Sequence, residues 1–391
     1  MAKRVPDVFE LRGGPGTLRA FEEVEITSSL VAQSEAKMLL GDDGAWKKME
    51  SQIAPGTLFE LRLNGRPLFK GRVEANEVPI QTDTGAHIEL ALRTKFADAR
   101  YASADPGIKV EKTSLHDFLL ALFAQHGYVE SDFIFPDSGI AGADLLSGIA
   151  GAGAHKGKTS KGLTDMTLQQ ARVQPPETVF ECAIRHLNRH GLSMWDSPDG
   201  RIEVGQPSDD ASPIYRFRSK RSGPAAPTNN IIQCRRLKDY RDLASNVEVL
   251  GQTLGQEVSK LPLRGSAFDD EIVAIANNPD TLNHFVRPII FPMERAKSDE
   301  EAFLIAKREL AARRRRKDGW EILMDGWSYW DGQKSIPYVM NTVGNMEVDA
   351  AGGPKGPYLV WRVDYKMSSG AGQQTVMALI KPGLWDLGDA A

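Results

Sequence analysis

Hydrophobic and polar positions alternate with a period of two through much of the first hundred residues. In "TLFELRLNGRPLFKGRV", Phe59, Leu61 and Leu63 alternate with Glu60 and Arg62, which predicts a half-buried strand. Asn64-Gly65 supplies the positive φ angles of a tight turn, and a second strand is expected from Leu68 to Val73. The alternation returns in "HIELALR" at Ile88, Leu90 and Leu92. Short strands separated by turns point to a small antiparallel barrel or sandwich.

The period then lengthens. Leu115, Phe118, Leu119, Leu122 and Phe123 recur at helical spacing, with Thr113 or Ser114 as N-cap and Gly127 as the C-terminal stop. A second helix, "PPETVFECAIRHLNRHGL", is expected to bury Phe180, Ala183, Ile184 and Leu187 and to end at Gly191. "SMWDSPDGRIEVGQP" reads as a hairpin turning at Asp199-Gly200. The intervening "SGIAGADLLSGIAGAGAHKGKTSKGLTD" is rich in glycine and small residues, so a mobile loop or insertion is expected over 140–173. Strand character resumes from Tyr215 in "SNVEVLG", "WEILMDGW", "YLVWRVDYKMS" and "QTVMALIKP". Leu359, Trp361, Val363 and Tyr365 share one face of the clearest of these strands, and all four are expected to point inward.

Composition narrows the function classes. The 391 residues allow two to four domains, 41% of them are hydrophobic, and the net charge is −4. A dedicated nucleic-acid binder would carry a basic excess, so any basic patch here is local. Cys182 and Cys234 stand far apart and form neither a disulfide framework nor a zinc knuckle; buried, inert thiols are expected. The start, "MAKRVPDVFELR", lacks the apolar stretch of a signal peptide, and the chain contains no run of about 18 apolar residues. Synthesis and residence in a reducing cytoplasm are expected until assembly.

Candidate chemistry is sparse. "AGAHKGKT", Ala152–Thr159, fits a relaxed phosphate-loop pattern in which Lys158 would reach phosphate and Thr159 a magnesium ion. The flanking sequence offers neither the preceding buried strand nor the following helix, and "ILMDG" is a poor acidic partner strand. His186 and His190 have an i, i+4 spacing compatible with a metal, but Leu187 stands where a zinc protease needs glutamate; solvated histidines are expected. The pairs Asp42-Asp43, Asp209-Asp210 and Asp269-Asp270 lie in loop-like surroundings and read as surface residues. No catalytic residue, cofactor site or metal site is assigned.

The run Arg313–Arg316 closes a helix beginning near Ser298. Asp299, Glu300 and Glu301 occupy its first turn, the arginines its last, and both suit the helix dipole. Phe303, Ala306 and Leu310 are expected to be buried, with Gly319 stopping the helix. Four adjacent arginines point in different directions, so a structural role is preferred to DNA reading.

The order of elements from Arg287-Pro288 through the Ser298 helix and Gly326 to "GPYLVWRVDYKMSSGAGQQTVMALIKP" resembles the C-terminal part of baseplate hub proteins of Mu-like contractile phage tails, akin to late-control D proteins and the N-terminal half of VgrG spikes. "GRPLFKGRVEANEVPI" resembles their first barrel, so the likeness spans most of the chain. The resemblance implies an α+β, mainly β, chain with two tube-like antiparallel β-barrels. The expected domains are a first barrel over 1–105, a small α+β domain over 106–205, and a second barrel over 206–391 with a helical insertion at about 252–318.

It further implies a homotrimeric symmetry adaptor without enzymatic activity, joining a six-fold tail tube to a three-fold spike around a DNA channel. The implied partners are the central spike, tail tube, baseplate wedge and tape measure proteins, and the implied location is the virion baseplate. DNA would pass without specific binding. A nucleotide-binding enzyme using Ala152–Thr159 and a DNA-binding module using Arg313–Arg316 are the alternatives.

Overall fold

The computed structural model describes residues 7–13, 16–19, 21–40, 53–77, 80–81, 85–86, 88–135, 163–207, 211–220, 229–252, 271–277, 286–293, 299–317, 319–350 and 352–383. The N-terminal strands are β1 (Phe9–Gly13), β2 (Gly16–Leu18), β3 (Glu23–Ser29), β4 (Glu35–Leu40), β5 (Leu58–Leu63), β6 (Arg66–Glu77), β7 (Ile80–Gln81), β8 (Gly85–Ala86) and β9 (Ile88–Arg93). Helix α1 (Lys95–Tyr101) follows them. The β5–β6 hairpin turns where expected, with φ of 52° at Asn64 and 78° at Gly65. Phe59, Leu61 and Leu63 are all buried.

The middle of the chain forms β10 (Lys109–Ser114), α2 (Leu115–Ala124), β11 (Phe133–Ile134), β12 (Thr167–Arg172), α3 (Val179–Arg189), β13 (Ser193–Asp196) and β14 (Ile202–Gly205). The Ser114 hydroxyl accepts the Asp117 N–H at 3.0 Å, capping α2, and its five expected core positions are all buried. Thr178 and Glu181 close a reciprocal capping box on α3. Most of the glycine-rich stretch lies outside the described residues. The expected mobile segment nevertheless reaches too far: β12, near its end, pairs antiparallel with β10, and Leu163, Leu168 and Val173 are buried. The α3 face also differs from expectation. Val179, Cys182, Ala183, His186 and Leu187 are buried, whereas Phe180 and Ile184 are only partly so. Phe180 instead lies beneath the Arg100 guanidinium, 3.8 Å from its ring centroid.

The remaining strands are β15 (Tyr215–Ser219), β16 (Ile231–Leu237), β17 (Asn246–Gln252), β18 (Glu271–Asn277) and β19 (Pro288–Met293). After α4 (Asp299–Lys317) come β20 (Gly319–Asp325), β21 (Ser328–Trp330), β22 (Ser335–Pro337), β23 (Thr342–Val348), β24 (Lys355–Ser368) and β25 (Gly372–Ile380). Strands β18, β17 and β19 make a separate small sheet, against which α4 buries Ala302, Ala306 and Leu310. Phe303, expected inside, is 39% exposed, with the Lys307 ammonium 4.6 Å from its ring centroid. The small side chains of Ala302 and Ala306 allow the helix to approach the sheet closely, and the bulkier Phe303 is turned outward. Gly319 does not cap α4 but opens β20, pairing with Leu237 and Ile380.

Strands from both ends of the chain join one 13-stranded sheet, curled into a half-barrel. Its order is β16-β20-β25-β24-β3-β4-β9-β6-β5-β1-β2, with β23 also on β24 and β15 on β23. All its pairings are antiparallel except β15–β23. Strand β24 makes this possible. Its first half pairs with β23 and its second half with β3, while β25 lies along its other side. One hydrophobic core runs beneath the whole sheet, from Phe9 and Leu11 to Leu379 and Ile380. Pairing of β24 with β3 joins strands from the regions of both expected tube-like barrels into one curled sheet with a shared core.

The partner switch on β24 coincides with a register shift between Val360 and Arg362. Such a bulge re-aims the intervening side chain. Trp361, expected inside, is consequently only partly buried, while Val360, Val363 and Tyr365 enter the core.

Candidate functional site

The two histidines of α3 stand in different surroundings. His186 is buried, not solvated as expected, with its ring centroid 4.7 Å from that of Phe118. His190 caps the C-terminus of α3. Among the described residues no group of three or more His, Cys, Asp or Glu side chains is placed to hold a metal ion. Cys182 is buried and its thiol is pushed up to about 12 by burial, which makes it a poor nucleophile. Cys234 is only half-buried on β16, and burial raises its thiol as well. The loop Ala152–Thr159 and the pairs Asp42-Asp43, Asp209-Asp210 and Asp269-Asp270 lie outside the described residues.

Of the four arginines, Arg313 has a described side chain. It pairs with Glu309 one turn earlier at 2.7 Å and donates to the Asp242 carbonyl at 3.2 Å. This tie fastens α4 to the loop before β17, in keeping with a structural role. No helix among the described residues is long and apolar enough to cross a membrane.

Two features escaped the sequence reading. The first is what the expected β13–β14 hairpin connects: Trp195 packs into the core of the main sheet, and Met194, Ile202 and Val204 into that of the middle unit. Its turn is set by Gly200 at φ 83°. The carboxylate of Asp196, 1% exposed, accepts the Ser34 N–H at 2.6 Å. Burial pushes its pKa up to about 6, against the pull of the Ser34 N–H and the Arg100 charge. Asp196 Oδ1, Ser34 Oγ, Thr94 Oγ1, Ser197 Oγ and Arg100 Nε are buried with no hydrogen-bonding partner among the described residues. On the adjacent strand, Glu203 accepts the Trp195 indole N–H at 3.0 Å, and burial pushes it up to about 7. The hairpin thus carries two reluctant carboxylates into the joint between units.

The second feature is an open groove beside β16. Trp320, Trp361, Ala378 and Ile380 contribute its apolar lining; Arg236, Lys238, Arg241 and Arg287 contribute the charge. The β24 bulge is what presents Trp361 there. The groove residues come from five separate stretches of chain, so no local motif announces them. Neither feature assembles a nucleophile, a base and an oxyanion site, and both belong to joints and surfaces.

No family model and no curated protein matches the sequence. The fold, however, is shared with solved structures across nearly the whole chain. A tail protein from Neisseria meningitidis MC58 superposes with a TM-score of 0.74 at 16% identity, covering 97% of this chain and 98% of that one. The 43 kDa tail protein of prophage MuSo2 from Shewanella oneidensis gives 0.73 at 16% identity, covering 97% and 99%. An Escherichia coli type VI secretion component, itself structurally similar to the T4 tail proteins gp27 and gp5, gives 0.52 at 9% identity over 95% and 76%. The fold is that of phage tail proteins.

Proposed function

We propose that this chain is a structural component of a contractile phage tail or a related injection machine, acting as the baseplate hub. The observation that carries this reading is the end-to-end likeness to two tail proteins, which takes in 97% of the chain. A shared barrel alone would match only one part. In this reading the two ends of the large sheet act as two tube-like halves, the counterparts of the barrels implied by 1–105 and 206–391. Residues 106–205 form the small unit between them.

Three copies would then present six similar walls to a six-fold tube and three-fold symmetry to a spike. Such an adaptor works through interfaces and needs no catalytic residue. Tail tube, central spike and wedge proteins are its neighbours in this scheme, DNA traverses the enclosed channel without specific binding, and the virion baseplate is its place.

Native mass measurement of the full chain, alone and mixed with the central spike protein of the same tail, tests the proposal. A discrete species containing three copies of this chain is expected, at least with the spike. A complex that holds a single copy of this chain would contradict it.

A further inference from the structure

Strand β16 lies at one end of the strand order of the main sheet. Just before it, the Asn230 N–H donates to the Arg218 carbonyl at 3.1 Å; among the described residues β16 itself has strand pairing on one side only, with β20. Five of its seven residues are exposed. Large apolar side chains collect around it: Ile232 is 55% exposed, Tyr240 46% and Val286 86%. Open edges of this kind invite another strand unless something covers them.

The chemistry of the covering chain follows from the groove behind the edge. Arg236, Lys238, Arg241 and Arg287 face it with Asp239 as the one acidic lining residue. Asp239 engages Arg241 at 2.6 Å, and the lining carries four cationic side chains against that one carboxylate. Trp361, placed there by the β24 bulge, and Ile380 offer an apolar seat. Nucleic acid would want open aromatic faces for stacking. Trp320 is only 9% exposed and the Arg236 guanidinium already lies over it, 5.5 Å from the ring centroid. An extended polypeptide uses what is present: main-chain pairing along β16, one apolar anchor and alternate carboxylates.

We propose that β16 and its groove dock an extended acidic segment of a partner protein, which adds to the sheet as a strand, anchors an apolar side chain against Trp361 and meets the groove cations with carboxylates. The site is independent of the three-fold closure proposed above, since it requires only one copy of this chain.

Fluorescence anisotropy of the full chain with three labelled probes tests this: a blocked eight-residue Leu-Glu repeat, the matching Leu-Lys repeat, and a fifteen-nucleotide oligothymidylate. The Leu-Glu peptide is expected to bind, to weaken as salt is added, and to lose about tenfold or more in affinity in a Lys238→Glu/Arg241→Glu variant. Both substitutions are at exposed positions, and an unchanged melting temperature establishes that the variant is folded. Trp361→Ala is expected to weaken the same peptide. Absent Leu-Glu binding, equal binding of the Leu-Lys peptide, preferential binding of the oligothymidylate, or a Leu-Glu affinity unaltered by the charge reversal would each overturn the proposal.

Discussion

At the scale of single residues, Asp196 shows what burial does to a charge. Its carboxyl is raised from 3.8 to about 6, so the folded chain holds that proton more tightly than the unfolded chain. The sign is therefore opposite to that of a salt-bridged carboxylate: the stabilising contribution is complete below the unfolded pKa and is lost as pH rises through about 6. A shift of that size corresponds to roughly 3 kcal/mol. Asp196→Asn should accordingly gain stability relative to the native chain as pH goes from 4 to 8, by up to about that amount, in paired thermal melts. A stability difference independent of pH would contradict the assigned ionisation. Trp327 and Trp361 offer a second contrast. Trp327 is fully buried, its indole N–H donates to the Lys366 and Gln374 carbonyls at 3.0 Å, and Phe9 packs edge-on against it. Trp327→Ala should cost about 3–5 kcal/mol in denaturant unfolding. Trp361→Ala should cost less than half as much, because the bulge has already taken it out of the core.

Among the elements, those defined by neighbours in sequence were legible from the residues alone. The Asn64-Gly65 hairpin, the α2 stripe from Leu115 to Phe123 and the Asp199-Gly200 turn all rest on local propensity and spacing. What depends on distant contacts was not. Nothing near Trp361 tells that β24 exchanges β23 for β3 there, because the strand that forces the exchange lies at the opposite end of the chain. On α4, periodicity favoured the large Phe303, yet close packing on a sheet selected the small Ala302. The groove was hidden for the same reason: Lys238, Arg287, Trp320 and Trp361 become neighbours only once two sheets have formed. Close approach also constrains β23, where a methyl group at Gly344 would overlap the Phe217 ring. Gly344→Ala should destabilise by about 1–3 kcal/mol, measured by urea unfolding, the usual cost of overpacking. Arg313–Arg316 replaced by glutamine should lose only a few tenths of a kcal/mol for the Arg313–Glu309 pair. Duplex DNA affinity should be negligible before and after; a salt-dependent loss on substitution would restore the DNA-binding reading.

The whole molecule is built on one large curled sheet, beside which stand a middle unit and the small β17–β19 sheet with α4. The β13–β14 hairpin sends side chains into two cores, and Asp7 accepts from the Ser328 and Ser335 hydroxyls at 2.7 and 3.1 Å, tying the N-terminal residues to the far end of the sequence. This construction suits a part that must keep its shape while neighbours pull on it. The described surface offers a sheet edge at β16 and a cationic groove beside it, features the proposed adaptor role can use. Imaging assembled tails by electron cryomicroscopy counts the copies of this chain where tube meets spike. The proposed hub places three copies around the axis, each spanning two of the six tube positions with the two halves of its large sheet. A single copy on the axis, or six copies matching the tube one to one, would contradict it.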